Sequence, residues 1–149
     1  MNHDYIIRPM EVSDTEQVEM IEKQIFSIPW SQKSFEDACQ SNDNIYLVCE
    51  MNGQIAGYCG LWTVLGEGNI TNMAVSGGFR RLGIAETLMK EMEKRGMSKN
   101  VVTYFLEVRK SNEAAVNLYK KMGYVQIGVR KNFYEKPVED ALVMSKTID

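Results

Sequence analysis

The sequence predicts an α/β (α+β) fold: one domain over residues 1–149, with a mixed, mostly antiparallel central sheet flanked by helices. Three observations carry this. Apolar residues recur at helical spacing in separate segments, with strand-like apolar runs between them. Asn52-Gly53 joins two such runs, and this pair is a strong two-residue hairpin signal because both positions tolerate positive φ. The chain has 149 residues, 44% hydrophobic and 25% charged, enough for one core without disulfides or metal.

Tyr5-Ile6-Ile7-Arg8-Pro9 reads as a short strand stopped by proline. Ser13-Asp14-Thr15-Glu16 has the form of a capping box, in which the serine hydroxyl takes a free helix N–H and Glu16 reaches back. A helix follows with Val18, Ile21, Ile25 and Phe26 inward, interrupted by Ile28-Pro29-Trp30. Ser31 caps a second short helix through Phe35 and Ala38. Ile45 to Met51 and Gln54 to Leu65 are the arms of the Asn52-Gly53 hairpin. Gly66-Glu67-Gly68 is a turn, and Asn69 to Val75 a further strand. After a loop with two arginines, Gly83 to Arg95 is a helix carrying Ile84, Leu88 and Met92, with Gly96 as its stop. Val102 to Val108 is a strand. Ser111-Asn112 caps a helix that ends at Gly123, and Tyr124 to Val129 and Ala141 to Ile148 are the last strands. The order is β-α-α-β-β-β-α-β-α-β-β.

Composition excludes several chemistries. The single histidine, His3, sits in a loose N-terminus, which argues against a Ser-His-Asp or Cys-His mechanism and against His-ligated zinc. Cys39, Cys49 and Cys59 contain no C-x-x-C and read as reduced, mostly buried thiols. No run of about 18 apolar residues exists, and Met1-Asn2-His3-Asp4 does not begin a leader, so a cytoplasmic protein without a membrane partner is expected. Net charge is −3, yet residues 1–79 hold 11 acidic and 3 basic side chains and residues 80–149 hold 9 acidic and 14 basic. The overall balance speaks against general nucleic-acid binding, while the basic half suits an anionic ligand.

Arg80-Arg81-Leu82-Gly83-Ile84-Ala85 follows a strand and opens a helix. A loop that wraps an anion needs converging N–H groups and small residues that let the ligand reach the backbone. Gly83 and Ala85 are small, the helix start adds about half a positive charge, and the arginines add full ones. Neither the P-loop pattern nor G-x-G-x-x-G is present. Alone, R-x-x-G-x-A fits a plain helix start as well as a phosphate or pyrophosphate site.

In context this segment resembles the acyl-CoA-binding motif [QR]-x-x-G-x-[GA] of the GCN5-related N-acetyltransferases (GNAT), with Arg80, Gly83 and Ala85 at its defined positions. The resemblance runs through the whole chain. Phe105-Leu106-Glu107-Val108-Arg109-Lys110-Ser111-Asn112, with Ala115 and Leu118-Tyr119, is similar to the L-E-V-R-x-S-N-x-x-A-x-x-L-Y signature of the family's protein N-α-acetyltransferases. Asn132-Phe133-Tyr134 followed by Glu139 to Met144 resembles their peptide-binding hairpin. Ile28-Pro29-Trp30-Ser31 narrows the resemblance to the bacterial branch that acts on ribosomal-protein alanine.

The resemblance implies a single GNAT-like domain and acetyl-CoA as co-substrate without a metal. It implies acetyl transfer to the N-terminal amine of a small-subunit ribosomal protein, with no direct nucleic-acid contact. Met73, Ala74 and Val75 would offer amides on a splayed or bulged strand to the thioester oxygen and the pantetheine arm. Arg80, Arg81, Leu82, Gly83, Ile84, Ala85, Glu86 and Asn112 would contact the coenzyme. Glu107 would be the general base; it sits between apolar Leu106 and Val108, so partial desolvation would raise its pKa. The alternative is a surface glutamate paired with Arg109. Tyr119 would protonate the leaving thiolate, a phenol near pKa 10 against a thiol near 8.5; the alternative is an ordinary half-buried tyrosine. Trp30 and Tyr134 would wall the peptide N-terminus and Glu67 attract its charge; the alternatives are a core residue, a loop anchor and a turn residue. An α-amine, pKa near 7.7–8.0, is about a quarter neutral at pH 7.4, against about a thousandth of a lysine, so it is the easier acceptor for one carboxylate base. Competing functions are lysine or small-amine acetylation and non-catalytic acyl-CoA sensing.

Overall fold

The computed structural model describes residues 4–148, and His3 lies outside them. Among the described residues the elements follow the predicted order: β1 (Tyr5–Pro9), α1 (Thr15–Ile25), α2 (Gln32–Cys39), β2 (Asn44–Met51), β3 (Gln54–Val64), β4 (Glu67–Val75), α3 (Ile84–Ser98), β5 (Thr103–Arg109), α4 (Glu113–Lys121), β6 (Val125–Tyr134) and β7 (Glu139–Thr147). The strands form one sheet in the order β1-β2-β3-β4-β5-β7-β6. Neighbours are antiparallel except β4 and β5, which are parallel.

Alternation along the strands divides the core between the two faces of the sheet. Leu47, Cys49, Cys59 and Leu61 meet Leu88, Met89 and Met92 of α3 and Val116 and Tyr119 of α4. Tyr46, Val48 and Tyr58 meet Val18, Ile21 and Phe35 of α1 and α2. All three cysteines are free, Cys49 and Cys59 buried and Cys39 partly so. No helix among the described residues is long and apolar enough to cross a membrane.

Local signals hold at several boundaries. Asn52 and Gly53 both take positive φ, 54° and 74°, in the β2–β3 turn. The Ser31 hydroxyl accepts the Ser34 N–H at 3.2 Å and caps α2. The Asn112 side chain accepts the Ala115 N–H at 3.2 Å and caps α4.

Four expectations shift. The box at the start of α1 is not Ser13–Glu16: the Glu11 N–H donates to Asp14 Oδ2 at 2.8 Å across a short 3-10 turn. Asp14 is fixed there because Arg8 donates to both of its oxygens, at 2.8 and 2.9 Å. Burial alone would raise the Asp14 carboxyl, but the Arg8 guanidinium and the Glu11 N–H together outweigh it and hold the group below its ordinary range. Phe26 is not inward; it terminates α1 in extended backbone and is exposed. The β3–β4 turn is Leu65-Gly66, with φ 49° and 85°, and Glu67 already belongs to β4. Gly96 is not the stop of α3, which runs on to Ser98 before Asn100 takes the left-handed conformation. Gly96 lies inside the helix because Tyr104 crosses it: a Cβ there would stand 2.3 Å from the Tyr104 hydroxyl.

Candidate active site

β4 and β5 pair only through Glu67–Asn69 against Thr103–Phe105. Beyond that point β4 follows β3 to Val75 and β5 follows β7 to Arg109, so the two strands part. The register of β4 on β3 slips between Gly60↔Asn72 and Leu61↔Ile70, which leaves Thr71 as an extra residue, a β-bulge. The Thr71 hydroxyl is 2.7 Å from the Tyr46 hydroxyl, which also accepts the Trp62 indole N–H at 2.9 Å. The strand therefore both bulges and splays, the bulge falling just before Met73-Ala74-Val75.

The opening is a cleft of about 1030 Å³. Its β4 wall is Ile70 to Val75, whose groups on the β5 side have no strand partner. At one end stands the arginine loop. Arg81 and Gly83 are both left-handed, φ 66° and 76°, which turns the backbone sharply into α3. No side chain caps α3 at Gly83, so its first N–H groups remain available to a ligand. Glu86 is ion-paired with Lys121 at 3.1 Å and Lys90 at 3.3 Å, and these partners, Lys121 first, hold its carboxyl below the ordinary range. That pairing offsets its repulsion of an anion. Arg80, Arg81, Gly83, Ile84, Ala85, Glu86 and Asn112 all line the cleft, but Leu82 does not: its side chain packs against the core. Free amides on β4, apolar Leu106, Val108, Ala115 and Leu118, and two arginines at an uncapped helix start fit an extended thioester arm that ends in a pyrophosphate.

Glu107 of β5 and Tyr119 of α4 both line the cleft. Tyr119 is 7% exposed, and burial pushes its phenol well above the ordinary value. The Glu107 side chain is 32% exposed, and its Oε1 lies 3.6 Å from Arg130 Nε of β6. It does not pair with Arg109, the partner named in the alternative reading, which is bound instead to Glu139 at 3.1 Å.

At the other end, Trp30 and Tyr134 both line the cleft. Trp30 also packs in the core, with ring centres 5.3 Å from Phe35 and 6.1 Å from Trp62, so it is at once wall and core. Tyr134 is half-buried under the Arg109 guanidinium, 4.4 Å from its ring centre; burial, then the charge of Glu107, pushes its phenol up to about 12. Glu67 is not brought to this site. It opens β4 beside the β3–β4 turn and is exposed, whereas the cleft lies along residues 70–75 of the same strand.

The carboxylate at this end is instead Glu22, which the sequence reading does not single out. It is 3% exposed and lines the cleft. Its Oε1 accepts the Tyr58 hydroxyl at 2.7 Å and its Oε2 the Trp30 N–H at 2.9 Å. Burial raises its carboxyl, and these hydrogen bonds oppose the rise. A signal is present: residues 18, 21, 22 and 25 form one apolar stripe on α1, and Glu22 is its polar member.

A family model described as Acetyltransferase (GNAT) family matches residues 15–124. The chain is 40% identical over 144 residues to a candidate [ribosomal protein bS18]-alanine N-acetyltransferase of Bacillus subtilis (strain 168), covering 96% of this chain and 95% of that one. It is 33% identical over 148 residues to the [ribosomal protein bS18]-alanine N-acetyltransferase of Escherichia coli (strain K12), covering 95% and 97%. The crystal structure of the ribosomal-protein-S18-alanine N-acetyltransferase from Escherichia coli superposes with a TM-score of 0.90 at 30% identity, over 98% of this chain and 95% of that one. The splayed β4–β5 cleft thus stands in a chain that belongs to the GNAT family and is an acetyl-CoA-dependent N-acetyltransferase.

Proposed function

We propose that this protein is a protein N-α-acetyltransferase that moves the acetyl group of acetyl-CoA directly to the N-terminal alanine of a small-subunit ribosomal protein in the cytoplasm. The observation that carries the reading is that Glu107 and Tyr119 line one cleft together with the arginine loop, Trp30 and Tyr134. The names of the relatives supply the acceptor.

Arg80, Arg81, the backbone from Leu82 to Glu86, and Asn112 hold the coenzyme, and the amides of Met73 to Val75 receive the thioester oxygen. Trp30 and Tyr134 wall the peptide end. The amine attacks the thioester carbonyl; the C–N bond forms and the C–S bond breaks. Glu107 takes the amine proton directly or through a water, and Tyr119 gives its proton to the departing thiolate. Partial exposure keeps Glu107 in contact with solvent, to which the proton is passed on. Burial makes Tyr119 a weaker acid than free phenol, but it keeps the proton in place through the working pH range.

The test is free-thiol release from acetyl-CoA with two peptides. One begins with a free alanine and contains no lysine; the other is N-terminally blocked and holds one lysine. Turnover with the first alone is expected. Turnover with the second alone identifies a lysine acetyltransferase, and silence with both despite coenzyme binding points to a small-amine enzyme or a sensor. Glu107→Gln and Tyr119→Phe are each expected to lose about 10²–10⁴-fold in turnover with coenzyme affinity retained.

A further inference from the structure

Arg109 has more partners than an ordinary surface ion pair provides. It lies two residues beyond Glu107 on β5, so both side chains leave the same face of the strand. Its Nη1 donates to the Pro137 carbonyl at 3.0 Å and to Glu139 Oε1 at 3.1 Å. Its Nη2 donates to the Glu135 carbonyl at 2.9 Å and reaches Ser27 Oγ at 3.4 Å. The Ser27 hydroxyl donates to the same Glu135 carbonyl at 3.4 Å, and the guanidinium lies over the Tyr134 ring. Glu139 passes the connection on: its Oε2 accepts the Ser111 N–H at 2.6 Å, at the entry to α4.

These partners belong to segments far apart in the chain. Ser27 is in the loop between α1 and α2, Glu135 and Pro137 are in the turn between β6 and β7, and both segments border the acceptor end of the cleft. Carbonyls in such a turn have no ladder to join. One planar fork of donors satisfies two of them and a carboxylate together, which the compact ammonium of lysine does not match.

We propose that Arg109 is a positioning residue for the acceptor: it latches the β6–β7 turn to the α1–α2 loop and holds the Tyr134 ring in the cleft wall. Its role toward a peptide rests on the N-α-acetyltransferase reading above; its role as a latch does not. The Arg109 side chain bonds none of residues 80–86, and Asn112 is connected to it only through the backbone at the entry to α4, so the arginine loop that takes the pyrophosphate is held separately.

The experiment joins amide hydrogen exchange of the ligand-free protein to steady-state kinetics, on Arg109→Met and Arg109→Lys. For Arg109→Met, exchange should accelerate at least tenfold in residues 25–30 and 132–138 and stay unchanged in α3. The KM for the alanine peptide should rise at least tenfold while the KM for acetyl-CoA stays within twofold. Arg109→Lys keeps the charge and should recover only part of the loss. Unchanged exchange in both segments overturns the latch. Equal rises in the two KM values, or faster exchange with an unchanged peptide KM, overturn the acceptor role. If the wild-type enzyme turns over no peptide, the functional reading fails and hydrogen exchange alone decides the latch. Should Arg109→Met not fold, Glu139→Ala removes one partner, and faster exchange confined to residues 134–139 and 111–113 is then the supporting result, unchanged exchange the opposing one.

Discussion

Glu22 illustrates what a single side chain can carry. A carboxylate in an otherwise apolar helical stripe is costly unless it is hydrogen-bonded, and Tyr58 and Trp30 provide the donors. Because burial raises its pKa, the folded protein holds the proton more tightly than the unfolded chain does. The stabilisation from this group is therefore full below the ordinary glutamate range and is lost as pH rises through the folded value. Glu22→Gln should gain stability relative to wild type as pH rises from about 4 to 7, read from urea midpoints; a gap that does not change with pH rejects the account. Glu22→Ala strands two donors and should cost about 2–5 kcal/mol. Tyr119 makes a different prediction. Its raised phenol means that kcat, followed from pH 8 to 10.5, has no alkaline limb at the ordinary tyrosine pKa of about 10; a fall there would contradict its burial.

At the scale of elements, α3 shows local preference giving way to packing. Glycine in a helix interior costs about 1 kcal/mol relative to alanine, and that preference is why position 96 reads as a stop. Yet the Tyr104 hydroxyl, which donates to the Glu93 carbonyl at 3.1 Å, occupies the space a methyl would take. Overpacking costs about 1–3 kcal/mol, so Gly96→Ala should be net destabilising despite its better propensity. In a Tyr104→Phe background the same change should cost less, because the nearest clashing atom is gone; thermal melts of the four proteins test the coupling. The arginine loop is the opposite case. Its geometry is local, two left-handed residues before a helix, and it stands where its sequence places it.

Across the whole molecule, the sheet couples two cores. β2 and β3 send alternate side chains to α3 on one face and to α1 and α2 on the other. Neither core can dissolve without releasing strands that the other needs. Trp30 and Trp62 pack against each other on the α1–α2 face, their ring planes tilted by 51°, so their fluorescence reports that side while far-UV circular dichroism reports the whole. Phe35, fully buried there, should cost about 3–5 kcal/mol when replaced by alanine. At about 2–4 °C per kcal/mol, both signals should drop by roughly 6–20 °C and remain coincident. An earlier fluorescence transition would mean that the two faces unfold separately.

The order of elements, the Asn52-Gly53 hairpin, the loop from Arg80 to Gly83 that opens α3, and the placement of Asn112 as the cap of the helix that carries Tyr119 were determined by the sequence alone. Each depends on turn chemistry, capping or periodicity within a few residues, and those energies are local. Other features were decided only in the tertiary structure. β7 lies between β5 and β6, β4 separates from β5 after three pairs, Glu22 reaches the cleft while Glu67 does not, and Arg109 meets Glu139 rather than Glu107. Every one of these depends on which distant segments share a sheet edge or a loop contact. The energy of such contacts exists only once the strands are paired, and a spacing pattern along the chain does not record it.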